Sequence, residues 1–220
     1  MTKPVLKIVG GKGQHYELCV LDFNIDIESG VCSVTLENGQ ADRSKACSYC
    51  YAAYLYKKDP NAYRIKTVKE SEFKKIADKF NPERKEILLR LGKNYECGSK
   101  ETRTELYQVL ELSAKYSFRP IVTSKLLEFD PKVAELVKAA NGIVHISLGR
   151  DQDEVGAVNR GSTNRWRLAQ ALKYLRSGCP TQVRIVADVT MPMNTFHQKV
   201  YQLMGSKGIL LKLAALISDN

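Results

Sequence analysis

Six short apolar runs constrain the fold of this 220-residue chain more than anything else in it: residues 16–26, 86–91, 120–124, 143–149, 182–189 and 209–217. Helical signals fall between them. Thr67 and Glu70 have the spacing of a capping box and open a helix to about Phe80. Residues 101–116 bring Leu106, Val109, Leu110 and Leu112 close to one face. Asp130 followed by Pro131 reads as an N-cap with proline at the first helical position, and Gly142 stops that helix. A fourth helix covers about 162–177 and closes at Gly178, and Asn194 caps a fifth over about 195–204. Strands alternating with helices imply parallel βαβ units with right-handed crossovers. With six strands and no helix after the last, the expectation is an α/β fold, an open and partial (βα)5β6 TIM-like barrel. Residues 1–15, basic and glycine-rich, are a lead-in that is flexible or forms a hairpin, and 16–220 form one domain. The open edge is expected to be covered by a partner, a second copy of the chain among them, or by a segment missing from this sequence.

In parallel α/β architectures the chemistry gathers at the carboxyl ends of the strands. The segments that fall there are Cys47 to Cys50, Gly92 to Glu96, Ser124, Ser147 to Asp151 and Asp188 to Met191. The formal net charge of +10 favours anionic partners, nucleic acid or phosphorylated ligands among them. The first residues lack the long apolar stretch of a secretory signal. No run approaches a membrane span, since 209–217 is too short and carries Lys212. A cytoplasmic location is therefore expected. Thiols are kept reduced there, so clustered cysteines point to metal binding or catalysis more than to disulfides.

The six cysteines are 19, 32, 47, 50, 97 and 179. Cys47-Ser48-Tyr49-Cys50 spaces two thiolates for one metal centre, with an aromatic residue directly before the second. Thioredoxin-type redox chemistry needs such a pair just after a strand and opening a helix. Structural zinc needs four ligands and usually a second close pair. An iron–sulfur cluster held by three thiolates leaves one iron open to a ligand. Cys19, inside a strand, and Cys179, after a helix stop, read as small buried hydrophobes. Cys97 is open.

The Cys47-Ser48-Tyr49-Cys50 stretch resembles the second half of the radical S-adenosylmethionine (SAM) signature, CxxxCxΦC, in which Φ is aromatic. The usual first cysteine falls at Arg43, and the nearest upstream cysteine is Cys32, giving C-x14-C-x2-C. Gly92-Lys93-Asn94-Tyr95-Glu96 stands where the family has the Gly-Gly-Glu segment that contacts the SAM amino group. Residues 146–151, with Ser147 and Asp151, resemble the segment that positions the SAM ribose and carboxylate. Residues 159–172, with Arg165, are similar to the following helix, closest to the spore photoproduct lyase-like branch. The fifth strand, ending at Asp188, also looks typical.

The resemblance implies that Cys32, Cys47 and Cys50 hold a [4Fe–4S] cluster, with Cys97 as a substitute third ligand and Tyr49 packed beside it. SAM would chelate the open iron, a one-electron reductant would drive its cleavage, and the resulting 5′-deoxyadenosyl radical would take hydrogen from a substrate. The cofactor carries the hard chemistry in such a system, and the protein positions, shields and tunes it. Gly92, Lys93, Asn94, Glu96, Ser147, Asp151, Arg165 and Asp188 are the expected SAM contacts. Nucleic acid or a nucleotide is the substrate class toward which charge and resemblance lean. Two other readings remain open: a basic nucleic-acid-binding module with a small zinc site, and a scaffold that keeps the fold without a complete cluster.

Overall fold

The computed structural model describes residues 68–92 and 96–185, together with residues 47, 198 and 202; residue 153 and the strands 6–8, 14–16, 19–21, 23–27, 186–188 and 211–216 are described as backbone. A seven-stranded sheet runs through it in the order β1 (Leu6–Ile8), β4 (Phe23–Ile27), β5 (Ile87–Leu91), β6 (Phe118–Ser124), β7 (Ile143–Leu148), β8 (Thr181–Asp188), β9 (Leu211–Leu216). From β4 to β9 every neighbouring pair is parallel, and β1 adds antiparallel to β4. A separate hairpin pairs β2 (Gln14–Tyr16) with β3 (Cys19–Leu21).

The six expected parallel strands are all present, and the α/β class and partial barrel stand. The first one differs. The apolar run at 16–26 divides between the hairpin and β4 instead of forming one strand. A largely apolar run without glycine or proline carries no clear mark of where a chain reverses, so periodicity joined two elements into one.

Four helices cover one face: α1 (Glu70–Phe80), α2 (Arg103–Lys115), α3 (Pro131–Ala139) and α5 (Asn164–Arg176); a short α4 (Val155–Asn159) precedes the last. Local chemistry sets their ends. The Asp130 carboxylate accepts from the N–H groups of Lys132 (2.9 Å) and Val133 (3.4 Å), the expected cap. Thr163 caps α5 by accepting from Trp166 N–H at 3.2 Å. The N-cap of α1 is Lys69, with no side-chain bond, and Thr67 of the expected capping box lies outside the described residues. Glu70 accepts from Lys115 at 2.6 Å and Tyr116 at 3.0 Å, tying α1 to the end of α2. The left-handed residue after α3 is Asn141, not Gly142. A Cβ on Gly142 would press on Pro120, so its missing side chain serves strand packing.

Alternation along the strands divides the sheet into two faces. Leu89, Leu91, Phe118, Val122, Val144, Ile146, Leu148, Val183 and Ile185 face the helices, where they join Phe73, Leu106, Leu110, Val133 and Tyr174 in the core. The opposite face carries Leu88, Arg90, Ile121, Thr123, His145, Ser147, Gln182 and Arg184. Among the described residues, no helix is long and apolar enough to cross a membrane. The fifth expected helix, from Asn194, lies outside the described residues apart from helical backbone at 198 and 202.

Candidate active site at the strand ends

Gly92 follows β5 with φ +80°, a conformation open to glycine and strained for L side chains. A Cβ there would fall against the Thr123 carbonyl oxygen at the end of β6. A Cβ on Gly98 would strike the Ser124 hydroxyl. The loop after β5 therefore lies flush against the end of β6, an approach that only glycines permit. Glu96 fastens it. One carboxylate oxygen accepts from the Ser124 hydroxyl and from Gly98 N–H (2.9 Å), and the other accepts from Lys125 N–H (2.9 Å). An ionised carboxylate has about four lone-pair positions, so three bonds leave room for one more donor. Lys93 and Asn94 lie outside the described residues.

Lys125 is the hub of the site. Its main-chain N–H holds Glu96, and its ammonium lies 3.4 Å from Cys47 Sγ and 2.8 Å from the Glu154 carboxylate. Cys47 is buried at these strand ends, and an ammonium at that distance stabilises negative charge on the sulfur. Cys32, Tyr49 and Cys50 lie outside the described residues.

Glu154 is fully buried and also pairs with Arg167, itself fully buried. Burial pushes the Glu154 carboxyl up, against the opposing pull of the Arg167 guanidinium. Arg167 spends its donors on Ser162 Oγ (2.8 Å), the Ser162 carbonyl (2.8 Å), the Ser147 carbonyl (3.2 Å) and Glu154. Ser162 Oγ in turn donates to the Lys125 carbonyl. Through these bonds the end of β6, the end of β7 and the start of α5 are one connected unit. A buried charge requires this degree of pairing.

The other expected contacts separate. Ser147 is buried on the inner face near the end of β7, with its carbonyl committed to Arg167. Asp151, in a 3-10 turn, accepts from Asn164 N–H at 2.9 Å and so caps the start of α5. Arg165 is exposed on α5, whereas Arg167, two residues on, enters the site's framework. Asp188 ends β8, with its backbone in register with Leu216. Cys97 joins the hydrophobic core and its thiol donates to the Thr123 carbonyl at 3.5 Å. Cys179 is buried as expected, with its thiol pushed up to about 11 by burial.

Lys125, Glu154 and Arg167 were not singled out as a set by the sequence. A lysine directly after a strand was the available signal for Lys125. For Glu154 and Arg167 the signal was weak, because a charged pair thirteen positions apart across a loop has no periodicity.

No family model matches the chain, and no curated protein matches it. Solved structures share its fold. It is similar to AdoMet-bound anSMEcpe in two structures, at 16% and 14% identity with TM-scores of 0.55 and 0.53, over 87% of this chain. It is also similar to spore photoproduct lyase with bound AdoMet and dinucleoside spore photoproduct, at 17% identity and a TM-score of 0.47 over 73% of this chain. The chain covers 47% to 50% of the length of these chains. The fold is thus that of the partial barrel in AdoMet-bound anSMEcpe.

Proposed function

We propose that this chain is a radical SAM enzyme whose barrel holds a [4Fe–4S] cluster on Cys32, Cys47 and Cys50. The observation that carries the reading is the position of Cys47. The one described sulfur of the trio is buried at the carboxyl ends of the parallel strands, with a cation 3.4 Å away that stabilises its negative form. When bound, the cluster and SAM supply one-electron reductive cleavage and hydrogen-atom abstraction.

This chain's residues do the positioning. Lys125 orients the Cys47 sulfur and offers an ammonium to a carboxylate. Glu154 holds Lys125 in place, and Arg167 balances the negative charge of Glu154 where both side chains are fully buried. Glu96 keeps the loop after β5 closed and retains one lone pair for the SAM ammonium. Gly92 lets the backbone approach without a side chain intervening. Ser147 lies on the inner face, and Lys93, Asn94 and Asp188 are the remaining candidate contacts, whereas Asp151 caps the start of α5 and Arg165 is exposed on that helix. The reductant is a one-electron donor protein or small molecule.

Anaerobic reconstitution with iron and sulfide tests this. About four irons per chain are expected, falling to background in Cys32→Ala, Cys47→Ala and Cys50→Ala and staying unchanged in Cys97→Ala. A colourless protein with one zinc overturns the reading in favour of a zinc-bearing module.

A further inference from the structure

Charge is spread unevenly along the chain. Residues 155–220 carry nine Lys and Arg against two Asp and Glu, whereas residues 1–154 carry 25 against 22. Most of the net charge of +10 therefore sits in the last third. The helix that represents this third among the described residues is α5, and it holds no acid from Asn164 to Arg176. Arg165, Lys173 and Arg176 are exposed on it, as is Ala169 between them. At 100° per residue the three cations fall within about 80° of arc, in a stripe about 16 Å long. None of the three makes a hydrogen bond or ion pair among the described residues.

The other long helices intersperse acids with their cations. Lys74 pairs with Asp78 at 2.6 Å, Lys115 with Glu70 at 2.6 Å and Lys132 with Glu111 at 3.7 Å. Helix electrostatics explain only part of the stripe. Cations in a last turn complement the macrodipole, which accounts for Lys173 and Arg176. Arg165 is the second residue of α5, in a first turn where a cation is unfavourable. The first turns of α1 and α2 follow the rule, with Glu70, Glu72 and Glu105. An anion from outside the chain offsets the cost at Arg165. Trp166, the single tryptophan, is half-buried at the border of the stripe, two turns before Lys173 on the same edge. The opposite border is Leu168, Leu172 and Leu175, which pack on the core.

We propose that this outer face of α5 docks single-stranded nucleic acid, with its cations on the phosphates and Trp166 against a base. Arginine matches phosphate with a planar fork of donors, and lysine adds a point charge. A stripe about 16 Å long covers the length of about five phosphates of a stacked strand. Single strands are held in general by such a pairing of backbone charge with aromatic stacking. The other anionic macromolecules fit less well. Val155 is the one exposed large apolar side chain among the described residues. The face therefore offers neither the apolar side of a membrane-surface helix nor the apolar centre of a protein interface. A duplex keeps its bases stacked on one another and presents no base face to Trp166. The docking does not rest on the proposed radical chemistry.

The test is titration of the full chain with oligouridylate and oligothymidylate of about twenty nucleotides, several times the length of the stripe. Binding is read by the emission of Trp166, the chain's only tryptophan signal, and by the anisotropy of a labelled strand. Saturable quenching is expected with both strands, because neither contact reads the sugar. The Arg165→Gln/Lys173→Gln/Arg176→Gln variant is expected to bind at least about tenfold more weakly at low salt, with the slope of log affinity against log salt reduced by about two. Lys74→Gln/Lys115→Gln/Lys132→Gln removes the same charge from paired positions on the other helices and should change affinity less than about twofold. Thermal transitions show that both variants are folded. Trp166→Ala should weaken binding at least about fivefold, and Trp166→Phe should restore most of it. Equal losses in the two triple variants overturn the inference, since affinity then follows net charge alone. So do unmoved Trp166 emission, tighter binding of a duplex of the same length, or sedimentation with phosphatidylserine vesicles without oligonucleotide binding. A chain that takes up no iron yet binds through α5 removes the proposed chemistry and leaves the docking face standing. A chain that loads its cluster and ignores both strands does the reverse.

Discussion

Gly92 and the buried charges behave as single residues on which the site depends. Gly92→Ala forces a side chain into a left-handed conformation and against the Thr123 carbonyl. A loss of about 1–3 kcal/mol from the backbone alone is expected, read as a lowered urea midpoint with an unchanged slope; an unaltered midpoint would mean that the loop after β5 has slack. Arg167→Ala leaves Glu154 buried without its main counter-charge and is expected to cost about 3–5 kcal/mol. Cys97 and Cys179 are expected to resist alkylation at pH 8 until the chain is unfolded, because both thiols are buried and Cys179 is held protonated. Rapid labelling of either in the folded protein would contradict the packing described. At this scale the sequence was partly legible. Gly92 and Glu96 could be picked out by their place after a strand, and Cys47 by its spacing. Arg167 could not be told from Arg165, since which of two arginines enters the core depends on the helix's rotation against the sheet.

The elements are held by their ends as much as by their faces. Thr163→Ala is expected to cost about 1 kcal/mol by removing the cap of α5, visible in thermal unfolding. Asp130 joins α2 to α3: burial raises its pKa, but bonds from Tyr107 (2.5 Å) and Arg103 (2.7 Å) outweigh that and hold it below the ordinary aspartate value. An acid depressed in the folded state stabilises at pH above its unfolded value, near 3.9, and loses that contribution as pH falls through its lower folded value. Asp130→Asn should therefore be less stable than the parent at pH 7, with the gap closing steadily below about pH 4. A gap independent of pH would show that the pairing is not electrostatic. The cap at Asp130-Pro131 was fully legible because capping is local chemistry. The partners of Glu70 at the start of α1 were not, because Lys115 and Tyr116 come from far along the chain. The hairpin of β2 and β3 was hidden for the same reason: its pairing is recorded in no single window of sequence.

For the whole molecule, the alternation of six strands with helices predicts the parallel order of β4 to β9, and the parity of each strand separates a helix-facing core from a polar interior. What alternation cannot supply is which strand ends converge in space, and the Lys125–Glu154–Arg167 unit is a product of that convergence. The proposed function requires that these strand ends support reductive cleavage of SAM. The most direct measurement is 5′-deoxyadenosine formed by the anaerobically reconstituted chain with dithionite and SAM, followed by chromatography. Formation that requires iron, dithionite and all of Cys32, Cys47 and Cys50 is the result expected, with a marked fall in Lys125→Met. A chain that holds about four irons and forms no 5′-deoxyadenosine under any reductant would contradict the account.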